Sequence, residues 1–197
     1  MPVTVFVTLA LSLASASAEQ PAQGAPNGVI EYRVLATNRT STMEKELNEA
    51  AEAGFRYDAV MGGETGLGGN EVVSIMSKRA GDASRYQYRL LATNRTSTMQ
   101  RELQAAADAG FEYRGQTVFQ SMFGGKEVAC ILERDRRNTS PRRYQYLLLA
   151  TTRTSTMQRE LQAIGDQGYE VVGLTVAKTA VGGNELVTIT RRPIKSD

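Results

Sequence analysis

Tyr32-Arg33-Val34-Leu35-Ala36-Thr37-Asn38-Arg39-Thr40-Ser41-Thr42-Met43 returns 56 residues later as Tyr88-Arg89-Leu90-Leu91-Ala92-Thr93-Asn94-Arg95-Thr96-Ser97-Thr98-Met99. It returns again, 58 residues further on, as Tyr146-Leu147-Leu148-Leu149-Ala150-Thr151-Thr152-Arg153-Thr154-Ser155-Thr156-Met157. The alignment continues without gaps to Glu71, Glu127 and Glu185, and over those 40 positions the second and third copies share 25 residues. The chain is therefore one unit written three times, and the unit decides the fold. The repeats span residues 29–79, 85–134 and 143–193, with the length differences confined to the linkers between them.

Each copy reads as strand, helix, strand, strand. Tyr32 to Thr37 and its equivalents are rich in β-branched, aromatic and leucine residues, as a strand requires. Ser41, Ser97 and Ser155 stand three residues before Glu44, Gln100 and Gln158, the spacing of a capping box that starts a helix at the serine. Met43, Leu47, Ala50 and Ala51 then recur at i, i+4, i+7 and i+8, one apolar stripe, and Met99/Leu103/Ala106/Ala107 and Met157/Leu161/Ile164 repeat it. Gly54, Gly110 and Gly168 fit left-handed helix stops. After each stop a second strand begins, and a loop ending in Gly68-Gly69, Gly124-Gly125 or Gly182-Gly183 turns the chain into a third. Alternation puts Val73 and Ile75 on one face of that strand, with Val72, Ser74 and Met76 on the other. One helix covers one face of a three-stranded sheet, and the other face is half apolar. The expectation is an α+β fold of three tandem β-α-β-β repeats, each an antiparallel three-stranded sheet with one helix, packed on one another with pseudo-threefold symmetry.

Composition narrows the chemistry. The 197 residues contain no histidine, no tryptophan and one cysteine, Cys130, with 23 Lys and Arg against 21 Asp and Glu. Without histidine there is no Ser-His-Asp or Cys-His pair, and within one chain no disulfide framework or His/Cys zinc site. A net charge of +2 lacks the basic excess of a dedicated nucleic-acid binder. No catalytic residue, metal ligand or cofactor site is read from the sequence.

Residues 1–18 carry no charged side chain, hold the apolar run Val3 to Ala14, and end in Ala16-Ser17-Ala18, a small-residue cleavage pattern. They are expected to be an export signal, too short to span a membrane, followed by a linker at 19–28. No Lys or Arg precedes the apolar run, so either the true start lies upstream or the signal is a weak one. Export places the protein in the periplasm or outside the cell.

In the third copy, Tyr146 to Thr151, then Leu161-Gln162-Ala163-Ile164-Gly165-Asp166-Gln167-Gly168-Tyr169-Glu170-Val171-Val172, closing at Arg191-Arg192-Pro193, resembles a widespread bacterial family of small domains of unknown function. The pattern of that family is Y-E-Y-K-V-V, L-N-x-L-G-x-x-G-W-E-L-V and a terminal K-R-P. The resemblance extends over all three copies, with Phe55, Phe111 or Tyr169 where the family has tryptophan and Ala51 and Ala107 where it has its first glycine. It implies a small α+β fold, no assigned chemistry and no transferable site residue.

Among polar residues, Arg39/Ser41, Arg95/Ser97 and Arg153/Ser155 set a guanidinium and a hydroxyl at each helix start, where free amides and the positive dipole end favour anions. They are the candidate ligand-binding residues, for phosphate, sulfate or carboxylate. The competing reading is a serine cap with the arginine paired to Glu71, Glu127 or Glu185. Glu46, Glu102 and Glu160 read as solvated or ion-paired helix residues rather than paired catalytic carboxylates. Cys130 aligns with Ser74 and Thr188 and reads as a structural thiol, and the arginines around Arg134 to Arg143 as an exposed linker cluster. The function expected is an exported, non-enzymatic binding or structural interaction protein whose partner is a protein or a small anionic ligand. An anion or polyanion binder and a histidine-independent hydrolase or transferase are the alternatives.

Overall fold

A computed structural model describes residues 28–64, 70–83, 85–93, 95–120, 126–178 and 184–194. The expected export signal and nearly all of its linker lie outside the described residues, as do the Gly-Gly turns. Repeat 1 contains β1 (Ile30–Thr37), α1 (Thr40–Glu52), β2 (Arg56–Glu64) and β3 (Asn70–Arg79). Repeat 2 contains β4 (Tyr86–Thr93), α2 (Thr96–Asp108), β5 (Glu112–Gln120) and β6 (Lys126–Asp135). Repeat 3 contains β7 (Tyr144–Thr151), α3 (Thr154–Gly165), β8 (Glu170–Lys178) and β9 (Asn184–Pro193). In every repeat the last strand is central and pairs antiparallel with both others, in the orders β1-β3-β2, β4-β6-β5 and β7-β9-β8. The expected fold class is the observed one.

The helices end as the glycines imply. Gly54, Gly110 and Gly168 have φ of 92°, 82° and 82°, where a Cβ is strained. The amide of Phe55 bonds the carbonyl of Ala50 at 3.0 Å while that of Gly54 bonds Ala51 at 3.0 Å, a Schellman closure that recurs at Phe111 and Tyr169. Lys78, Arg134 and Arg192 then donate to the carbonyls of Ala53, Ala109 and Gln167 at the same helix ends and lie over the rings of Phe55, Phe111 and Tyr169. Arg134 thus belongs to its repeat rather than to the linker cluster.

The helix starts correct the sequence reading. The N-cap residues are Arg39, Arg95 and Arg153, in extended backbone and without a side-chain cap, two residues ahead of the serines. The amides of these arginines donate instead to the hydroxyls of Thr37, Thr93 and Thr151, the last residues of the preceding strands, at 3.1–3.2 Å. That turn fixes the chain direction before the serine is reached, so Ser41, Ser97 and Ser155 fall inside the first helical turn with their side chains exposed. The capping box does not form.

The face assignment is also reversed. α1 covers Val72 and Met76, and α2 covers Val128, Cys130 and Leu132, so the core under α1 joins Met43 and Leu47 to Val72 and Met76. The opposite face meets the preceding repeat. Ile131 of β6 is buried in the core of repeat 1, and Ile189 of β9 in that of repeat 2. The same elements make both joints: α1 against β4 and β2 against β5, then α2 against β7 and β5 against β8. The threefold repetition is thus realised as one packing step taken twice along a row. Among the described residues no comparable joint sets repeat 3 on repeat 1.

Candidate functional site

The joint between repeats is built from the helix outward. Glu44 and Asn48, one turn apart on α1, point at the free edge of β4. Asn48 accepts from the Tyr88 amide at 2.9 Å and donates to the Tyr88 carbonyl at 3.0 Å, while Glu44 accepts from the Leu90 amide at 2.8 Å. On α2, Gln100 and Gln104 repeat this on β7, accepting from Leu148 at 2.7 Å and Tyr146 at 2.9 Å and donating to the carbonyls of Tyr146 and Tyr144. A sheet edge is a row of unpaired donors and acceptors, and here the preceding helix closes it with side chains. The residues expected to reach back to a serine cap reach forward to the next repeat.

A tyrosine anchors each joint. The buried Tyr88 hydroxyl accepts from the amide of Tyr57 at 2.9 Å and donates to Glu133 at 2.8 Å. The Tyr146 hydroxyl accepts from the amide of Tyr113 at 2.9 Å and lies beside Arg191. Burial pushes the Tyr57 hydroxyl up to about 12 and raises Tyr88, Tyr113 and Tyr146 as well. The rings of Tyr57 and Tyr113 lie over Gly115 and Gly173, where a Cβ would collide with the tyrosine hydroxyls. Each glycine follows a bulge in its strand, which shifts the register and lets the tyrosine in.

The first joint also carries charge. Glu133, 4% exposed, accepts from Arg56 Nη2 at 2.9 Å and from Arg114 Nε at 2.9 Å. Arg85 pairs with Asp135, and that hydrogen bond holds the Asp135 carboxyl below the usual carboxylate range. Tyr86 lies under both Arg56 and Arg85. Around this cluster opens a polar cleft of about 460 Å³, lined by Arg56, Arg79, Arg85, Arg114 and Arg137 together with Asp58 and Asp82. Two arginines share one buried carboxylate, so guanidinium N–H groups remain to receive an anion.

The residues singled out in the sequence sit elsewhere. Arg39, Arg95 and Arg153, with Ser41, Ser97 and Ser155, are exposed at three separate helix starts, and among the described ion pairs none joins them to Glu71, Glu127 or Glu185. Glu46, Glu102 and Glu160 are half-buried, one on each helix, and form none of the described ion pairs either. Cys130 is fully buried, and burial raises its thiol to about 12, which removes the nucleophilic thiolate. No group of acidic, histidine or cysteine residues that holds a metal ion occurs among the described residues, and no described helix is long and apolar enough to cross a membrane.

The ends of the row expose what its interior buries. Tyr32 is 64% exposed, while its equivalents Tyr88 and Tyr146 are each 2%. Ile75 is 39% exposed, against 1% for Ile131 and for Ile189. At the opposite end Val171 is 54% exposed, against 9% for Tyr57 and 7% for Tyr113. Val34 at the first end and Leu174 and Val176 at the other are exposed too. Isolated apolar residues on a surface are ordinary, but here they gather at the two ends of the row. No protein-family model matches this chain, and no curated protein and no solved structure is significantly similar to it.

Proposed function

We propose that this is an exported, non-enzymatic structural protein that works by docking a macromolecular partner on the two end faces of its repeat row. The exposure of Tyr32, Val34 and Ile75 at one end and Val171, Leu174 and Val176 at the other supports this reading. The apolar run ahead of Ala16-Ser17-Ala18 supports export. The test places a photo-crosslinking amino acid at Val34 or Leu174, with Lys45 on the exposed flank of α1 as control. Expression in the native host and fractionation should give a discrete adduct from both ends, in the periplasmic or secreted fraction, and none from Lys45. Adducts from neither end, or retention in the cytoplasm, would overturn the reading.

A second reading rests on the cleft at the first joint. Five arginines line it, and three of them share the two carboxylates of Glu133 and Asp135. That geometry favours a small carboxylate or phosphate bound at Arg56 and Arg114, rather than at the helix starts.

A further inference from the structure

The two end faces are halves of one joint. We infer that the partner they take is a second copy of this chain, added head to tail, so that α3 and β8 of one copy hold β1 and β2 of the next as α1 and β2 hold β4 and β5. This rests on the docking reading above and names its partner.

Three observations carry it. Thr154–Ala163 of α3 is identical, residue for residue, to Thr96–Ala105 of α2. It therefore keeps Gln158 and Gln162, the counterparts of the Gln100 and Gln104 that close the edge of β7. Among the described residues no strand edge lies against these two glutamines, and both are exposed. On the other side, β1 keeps Tyr32 and Val34 where β4 and β7 carry the Tyr-x-Leu that α1 and α2 grip, and among the described residues no helix closes its edge. The docking surfaces are present at both ends, and only the connection is missing.

The steric pairing supports the same joint. Inside the chain a tyrosine sits over a glycine, Tyr57 on Gly115 and Tyr113 on Gly173. At the end-to-end joint the corresponding pair is Val171 on Ala59. The large residue has become small where the glycine has gained a Cβ, so the two changes compensate across a boundary that the single chain does not contain. Charge raises no obstacle. Glu170 is held by Arg191 of its own repeat at 2.9 Å and would meet the neutral Ser77. The contact is heterologous, so it closes into a ring or extends into a filament.

Sedimentation velocity and light scattering of the purified protein test it with two variants at exposed positions, Val34→Arg at the head and Leu174→Arg at the tail. The wild type should show a mass at least twice that of the monomer, rising with concentration or fixed at a ring, while each variant alone is monomeric. A one-to-one mixture of the two variants should recover a dimer and nothing larger, since each supplies the face the other lacks. Gln158→Ala with Gln162→Ala should weaken association about tenfold without altering the circular dichroism of the monomer. A monomeric wild type, or variants that still assemble alone, overturns the inference, as does failure of the mixture to dimerise. In that case a crosslinked adduct of foreign mass at Val34 or Leu174 leaves the docking function standing with another partner, and no adduct at all removes both.

Discussion

Glu133→Gln removes the charge that holds the first joint while preserving the shape of the side chain. Glu133 is the common acceptor of Arg56, Arg114 and the Tyr88 hydroxyl, and its side chain is 3% exposed. Removing one partner of a fully buried ion pair costs about 3–5 kcal/mol. Here the arginine side chains are 45% and 37% exposed and rehydrate once released, so each lost contact falls toward the roughly 0.5–1 kcal/mol of a surface pair. The amide oxygen of glutamine still accepts from Tyr88, which leaves about 1 kcal/mol for the weaker acceptor. The expected loss is about 2–3 kcal/mol, a fall in Tm of roughly 5–10 °C for a chain of this size. Urea unfolding followed by far-UV circular dichroism measures it, with Glu46→Gln as a control expected to stay within about 0.5 kcal/mol. A double-mutant cycle with Arg56→Ala should return a coupling of about 0.5–1 kcal/mol. A Glu133→Gln loss below about 0.5 kcal/mol, or no coupling to Arg56, would refute the account of this joint.

Alkali should unfold the protein earlier than its neutral stability suggests. Burial raises Cys130 and Tyr57 to about 12 and lifts Tyr88, Tyr113 and Tyr146 above the ordinary phenol value, so the folded state keeps protons that the unfolded chain releases. The stability they contribute is complete below the unfolded values, near 8.5 for the thiol and 10 for the phenols, and is lost as pH rises from there toward the folded values. Each such group steepens the loss by about 1.4 kcal/mol per pH unit in that window. Urea midpoints at pH 8 and pH 11 should differ sharply, with a step in tyrosinate absorbance at the unfolding pH, whereas equal midpoints would contradict the burial of these hydroxyls. If the arginine cleft takes small anions, phosphate should raise Tm in a saturable way that Arg114→Ala abolishes. A rise reproduced in the Arg114→Ala variant would be a general salt effect and would remove the cleft reading.

The elements were legible because each rests on local chemistry repeated three times. The apolar stripe from Met43 to Ala51 and the left-handed glycine at Gly54 need nothing beyond their own segment. The helix start was not legible, because Thr37 captures the Arg39 amide two residues before the serine that the capping pattern favours. Glu44 and Asn48 were obscured for a related reason. Their partner lies 40 to 46 residues away on the next repeat, and the same side chain fits a local motif. The joint residues were hardest of all. Ser77, Glu133 and Arg191 occupy one position of the repeat and look like drift when the copies are aligned in register. Their meaning appears only when each copy is compared with its successor. Arg56 then faces Glu133, Glu112 faces Arg191, and Tyr57 faces Gly115. Gln116 keeps a cost of that arrangement, its amide buried without a hydrogen-bond partner where the other copies carry Val60 and Leu174.

Those offset pairs solve a problem that tandem repetition creates. Copies this similar offer a folding chain several wrong neighbours, because the apolar parts of every joint are nearly interchangeable. Charge separates them. Repeat 1 presents Arg56, which meets Glu133 in the correct order but would meet Arg191 if repeat 3 docked in its place. Repeat 2 presents Glu112, which lies 3.9 Å from Arg191 in the correct order but would face Glu133 in a contact between second repeats of two chains. Reversing the sign of the pair from one joint to the next makes each correct neighbour attractive and these wrong ones repulsive. The joint from repeat 3 onward carries no such discrimination, because Ser77 is neutral and Glu170 is already paired with Arg191. Within the chain the charges fix the order of the copies, and at its ends the surface is left permissive, as addition of an identical chain requires.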